Sequence, residues 1–151
     1  MKKTIVFIFL ISLCPAPPSW ASEPEPIAIL VNKLINVTNL SMGELAKIYK
    51  GQIVKWPDGQ RIFVINRPLN SRIRARFYKV VLKSKPGKEF IMPDSPLPFK
   101  TLSSKSSFGA RRLVYSIPNA IGYIYLSEIG DEDQVIRIDG ALPGEKNYKL
   151  K

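Results

Sequence analysis

Apolar positions along the chain fall into short blocks separated by polar turns. Residues 27–31, IAILV, form an unbroken apolar run of strand length, closed by Asn32. A run without alternation predicts a strand buried on both faces, as in an α/β sheet. Ser41-Met42-Gly43-Glu44 has capping-box spacing, with Ser41 as N-cap and Glu44 reaching back to it. Leu45, Ile48 and Tyr49 give the following short helix its apolar face, and Gly51 is placed to cap its C-terminus. Trp56-Pro57-Asp58-Gly59 predicts a turn, because Asp-Gly readily supplies positive φ angles. A β-branched run over 61–65 stops at Asn66-Arg67-Pro68. Ser71 then opens a segment with helical spacing at Ile73, Phe77, Val80 and Val81.

Residues 83–98 are rich in Lys, Pro and Gly and predict a long irregular connection. Ser106 or Ser107 caps a third helix through Ala110, Leu113 and Val114. Residues 120–126, AIGYIYL, predict a strand whose internal glycine implies close backbone approach or a bulge. Residues 135–138 predict a last short strand, ended by Asp139-Gly140. Strands alternating with helices give an α/β domain, expected over 27–151.

The chain's beginning changes the picture. Lys2 and Lys3 precede an apolar stretch over 4–13, too short to span a bilayer, and Ser19-Trp20-Ala21 ends in small residues suited to cleavage. Residues 1–21 are expected to be a secretory signal peptide, 22–26 (SEPEP) a mobile leader, and the location periplasmic. A lipid anchor on Cys14 is the lesser alternative, disfavoured by the bulky Leu13 before it. Cleavage removes Cys14, the only cysteine, and the chain has no histidine. The commonest acid–base and thiol devices of enzymes are therefore missing, and no carboxylate spacing singles out a catalytic pair or a metal site. Asp131-Glu132-Asp133 reads as a solvated loop, and no cofactor is expected.

The formal net charge is +11, of which the leader lysines contribute two. A basic chain favours anionic partners. Export argues against nucleic acid, leaving phosphate or another small oxyanion, a lipid headgroup or an acidic protein face. A solvated basic surface is the bland alternative. Arg72, Arg74, Arg76 and Lys79 read in the same way, as a basic helix face in water.

Three stretches together resemble one family. Leu40-Ser41-Met42-Gly43-Glu44-Leu45-Ala46-Lys47-Ile48-Tyr49-Lys50-Gly51, followed by Trp56 and Asp58-Gly59, is similar to a stretch of phosphate-transporter substrate-binding proteins. Val64-Ile65-Asn66-Arg67-Pro68-Leu69-Asn70-Ser71 with Phe77 resembles their R-x-x-x-S-G-T-x-x-x-F element. Pro118-Asn119-Ala120-Ile121-Gly122-Tyr123-Ile124 resembles their P-G-A-I-G-Y strand. The resemblance implies a type II periplasmic binding protein reduced to a single lobe, with a mixed sheet flanked by helices. It implies an oxyanion at Arg67 and Ser71, with Asn70, Arg72 and Ile73 around it, and a permease, a sensor or a second lobe-like protein as partner.

The chemistry fits in outline. A phosphate needs several short donors and a counter-charge, because stripping its water is costly. Arg67 offers a planar fork of donors, Ser71 a hydroxyl at a helix start, and Arg72 and Ile73 backbone N–H groups. Arg72-Ile73 stands where the family has Gly-Thr, which removes a close backbone approach and a hydroxyl. One such lost partner of a charged group costs roughly 1.5–3 kcal/mol. A protein-interaction module that keeps the lobe without its ligand is the alternative reading, and attachment to an anionic membrane surface a third.

Overall fold

The computed structural model describes residues 24–86 and 101–151. The signal segment expected over 1–21, and most of the connection expected over 83–98, lie outside the described residues. Of the leader, Glu25 and Pro26 are tied down rather than loose. The Pro26 carbonyl accepts the Leu126 N–H at 2.9 Å, and the Glu25 carboxylate takes the backbone N–H and hydroxyl of Ser127.

Five strands form the main sheet. They are β1 (Ile27–Val31), β3 (Phe63–Asn66), β4 (Thr101–Ser103), β5 (Ala120–Tyr125) and β6 (Gln134–Val135), in the order β4-β3-β5-β1-β6. β3 runs parallel to β4 and β5, whereas β1 is antiparallel to β5 and β6, so the sheet is mixed. A second, two-stranded sheet pairs β2 (Asn39–Leu40) with β7 (Arg137–Ile138). The α-helices are α1 (Met42–Tyr49), α2 (Arg72–Phe77), which runs on into a π-helical turn over Tyr78–Leu82, and α3 (Ser107–Ser116); a 3-10 turn over Leu126–Glu128 follows β5.

The helices divide between the two faces of the sheet. Ile27, Ile29, Val31, Val64, Ile121 and Tyr123 pack with α1, α2 and the turn after it. Leu30, Ile65, Ala120 and Ile124 pack with Ala110 and Val114 of α3. Successive strand residues point to opposite faces, so a sheet covered on both sides needs apolar residues at every position. That is why IAILV carries no alternation, and β1 is buried throughout.

Local signals act as read. Ser41 and Glu44 form the capping box of α1, and Gly51 follows it at φ +71°. Ser106, not Ser107, caps α3. Gly122 explains itself by close approach: a Cβ there would lie 2.8 Å from the Val114 side chain and 3.3 Å from that of Ile65. Asn32 closes β1 by donating to the carbonyls of Val114 and Tyr115 at 2.9 and 2.8 Å, which pins the end of α3 to the sheet.

Besides the leader, two expectations are corrected. The single strand over 135–138 is two: Val135 pairs with β1, and Arg137–Ile138 turns away to pair with β2. Asp133 is not a solvated carboxylate; it pairs with the Arg111 guanidinium and accepts the Gly130 N–H. Gly122→Ala forces its new methyl against Val114 and Ile65. It should destabilise the domain by about 1–3 kcal/mol, read as a lowered urea midpoint with an unchanged slope.

Candidate functional site

β4, β3 and β5 are parallel neighbours, so their carboxyl ends lie on one edge of the sheet. The residues just beyond each strand are therefore gathered there. Asn66 ends β3 and Arg67 comes next, Ser104 succeeds β4, and Glu128 lies in the turn after β5. Both α2 and α3 begin near this edge. In open α/β sheets the carboxyl edge of the strands is the usual place for a ligand.

Asn66 is fully buried and organises the edge. Its side-chain oxygen accepts the Arg67 N–H at 2.9 Å and the Tyr123 hydroxyl at 2.6 Å. Its amide nitrogen donates to the Tyr78 hydroxyl at 3.2 Å, and its carbonyl accepts the Ser104 N–H at 3.1 Å. Beneath it lies an aromatic stack. Phe77 and Tyr123 are parallel at 4.1 Å between centroids, and Tyr49 leans on Phe77 at 4.6 Å.

Arg67 is 7 % exposed. Its guanidinium points to the first turn of α3: Nη1 donates to the Ser107 hydroxyl at 2.8 Å and Nη2 to the Lys105 carbonyl at 3.3 Å. Nε is buried without a hydrogen-bond partner. Among the described residues no carboxylate lies within salt-bridge distance of Arg67. Ser107 in turn donates to the Glu128 carboxylate at 2.5 Å, which also accepts the Tyr125 N–H.

The other residues expected at the site are arranged differently. Ser71 is the N-cap of α2, but its hydroxyl donates to the Pro68 carbonyl at 2.8 Å and accepts the Arg74 N–H at only 3.4 Å. Arg67 and Ser71 thus hold different partners in this structure. Asn70 and Arg72 are exposed, and the Ile73 side chain is buried in the main core, so Ile73 can offer only its backbone. The basic run is corrected in two members. Arg72 and Lys79 are exposed, but Arg74 is 7 % exposed, because it lies one helical turn before buried Tyr78. Arg76 is only half-exposed, and its Nη2 is buried.

A family model described as a PBP superfamily domain matches residues 25–144. The chain belongs to the PBP superfamily. It is 32 % identical over 126 residues to the phosphate-binding protein PstS of Bacillus subtilis, covering 80 % of this chain and 38 % of that one. Among solved structures it is similar to an ABC-type phosphate transport receptor from Vibrio cholerae, with TM-score 0.68 and 28 % identity over 79 % of this chain and 48 % of that one. PstS from Borrelia burgdorferi shares the fold with TM-score 0.68 at 20 % identity, covering 83 % of this chain and 54 % of that one. The PBP-superfamily chain thus spans about two-fifths to just over half the length of these relatives.

Sequence reasoning misses three members of this edge. Ser107 reads there only as a helix cap. Arg74 looks like one more surface charge, although its spacing of four from Tyr78 is a usable signal. Glu128 carries no sequence signal, since its place depends on the turn after β5.

The aromatic floor makes a pH prediction. Burial raises the hydroxyl pKa values of Tyr49, Tyr123 and Tyr78, and the neighbouring Tyr78 adds to the rise at Tyr123. Above about pH 10 an unfolded tyrosine loses its proton. The folded chain then holds more protons than the unfolded one, so stability falls as pH rises beyond that point. The check is an alkaline titration followed by tyrosinate absorbance. The buried tyrosines should ionise only together with loss of the far-UV circular dichroism.

Proposed function

We propose that this chain is an exported anion-binding module that takes phosphate, or a closely similar small oxyanion, at the carboxyl edge of β4-β3-β5. The observation that carries the reading is Arg67: a buried guanidinium with an unpartnered Nε and no carboxylate counter-ion among the described residues. A buried cation without a counter-ion is costly unless an anion completes it. Ser71 joins it by turning its hydroxyl from Pro68 to the ligand, while Asn70 and the backbone N–H groups of Arg72 and Ile73 line the near side. Phosphate is the ligand class in the names of the relatives, and the signal-like leader over 1–21 supports a periplasmic location.

Binding is weak by this account. Ser107 and Ser71 already have protein partners, and with Arg72-Ile73 the loop lacks a close-approach glycine and a second hydroxyl. Each hydrogen bond to a charged group that is not made costs roughly 1.5–3 kcal/mol, about one to two decades of affinity. No catalysis is proposed.

The second reading is a protein-interaction module, serving a permease, a sensor or a second lobe-like protein. It is favoured by Leu34, Phe108 and Tyr115, large side chains that are 75 %, 64 % and 57 % exposed. Phe108 and Tyr115 line one surface depression together with Arg111 and Arg112, and adjoining exposed apolar side chains mark an interaction surface more than scattered ones do.

Isothermal titration with phosphate and with sulfate, at low and physiological salt, separates the two. The first reading expects a saturable heat that survives physiological salt, because a buried site is screened less than a surface one. Arg67→Ala should abolish that heat, and Ser71→Ala should weaken it about tenfold or more. Absence of any saturable heat, or an unchanged affinity in Arg67→Ala, leaves the interaction module as the function.

A further inference from the structure

We infer that Arg74 is a positioning residue for Arg67, fixing the main chain from which the anion-binding guanidinium is aimed. The inference rests on the proposed role of Arg67 and extends it to a residue that touches no ligand.

Arg67 sits in the loop between β3 and α2, where nothing in the strand ladder holds its peptide groups. Both are nevertheless claimed by side chains. Its N–H is taken by the Asn66 side-chain oxygen at 2.9 Å, and its carbonyl by Arg74 Nη1 at 2.8 Å. Arg74 Nη2 donates to the Tyr78 hydroxyl at 2.9 Å, and the guanidinium lies 4.9 Å from the Tyr78 ring centroid. The Tyr78 hydroxyl also receives the Asn66 amide nitrogen at 3.2 Å. The bonds close a ring: Asn66 to Tyr78, Tyr78 to Arg74, Arg74 to Arg67, and Arg67 back to Asn66.

The residue type matters. One planar fork bridges a carbonyl and a hydroxyl at fixed spacing, while its face rests on an aromatic ring. An ammonium is a single point and cannot hold both ends with the same geometry. The same contact ties α2 to the π-helical turn that continues it, since Arg74 lies in the one and Tyr78 in the other. With the peptide of Arg67 held on both sides, the side chain leaves in one direction, toward the first turn of α3. A guanidinium held in that way loses less freedom when an anion arrives.

The test uses the full chain labelled with nitrogen-15, with the Arg67 Nε–H resonance assigned by its loss in Arg67→Lys. In Arg74→Met that resonance should move and broaden, while the amide resonances of β1 and β5 stay in place. Phosphate affinity should fall by about tenfold or more. Tyr78→Phe removes the hydroxyl that anchors the other end of Arg74 and should move the Arg67 resonance in the same direction, by less. An unmoved Arg67 resonance in Arg74→Met overturns the inference. If Arg74→Met does not fold, an unmoved resonance in Tyr78→Phe overturns it instead. A wild-type chain that gives no response to phosphate refutes the oxyanion function, and the Arg67 resonance still decides the positioning.

Discussion

The structure depends on β5, which pairs antiparallel with β1 on one side and parallel with β3 on the other. This strand is where the sheet changes direction. Its pairing with β1 fixes the register Leu30↔Gly122, which lets Val114 of α3 settle against a glycine. Its pairing with β3 lines up the carboxyl ends of three strands. The aromatic floor depends on the same strand, since Tyr123 points to the face that α1 and α2 cover and stacks on Phe77. A shift of β5 by one residue would exchange its two faces and remove both the stack and the glycine contact.

On that edge one buried asparagine converts strand order into a site. Asn66 makes four hydrogen bonds, to Arg67, Tyr78, Tyr123 and the backbone of Ser104. A buried polar group with its capacity used costs little, and a network of this kind specifies one arrangement rather than several. Arg67 Nε, beside this network, is left without a hydrogen-bond partner. Ser107 passes the polarity on to Glu128, so the edge carries both a cation and an anion, bridged by one hydroxyl. The oxyanion proposed for this edge would have to fit beside that carboxylate, in keeping with the weak binding proposed for it.

Much of this is legible in the sequence. The buried strand 27–31, the capping box at Ser41 and Glu44, and the glycine inside 120–126 are local or periodic signals, and the structure uses each of them. The resemblance to phosphate-transporter substrate-binding proteins points to the family and the fold. The rest is set by tertiary contact. β2 and β4 are two and three residues long and exist only through their partners. The break at Ile136 arises because Val135 and Arg137 have partners in different sheets. Arg74 reads as a surface charge when composition outweighs its position on the helix. Arg67 and Ser71 are expected to share a ligand, whereas the structure gives the guanidinium to α3 and the hydroxyl to Pro68.

The central claim is that an oxyanion completes the buried charge of Arg67. Arsenate has the shape and charge of phosphate and scatters X-rays anomalously, so it can be located without ambiguity. A crystal of the chain grown with arsenate should show one strong anomalous peak within hydrogen-bond distance of Arg67, at the carboxyl edge of β4-β3-β5. Peaks confined to surface lysines, or none at all, would contradict the account.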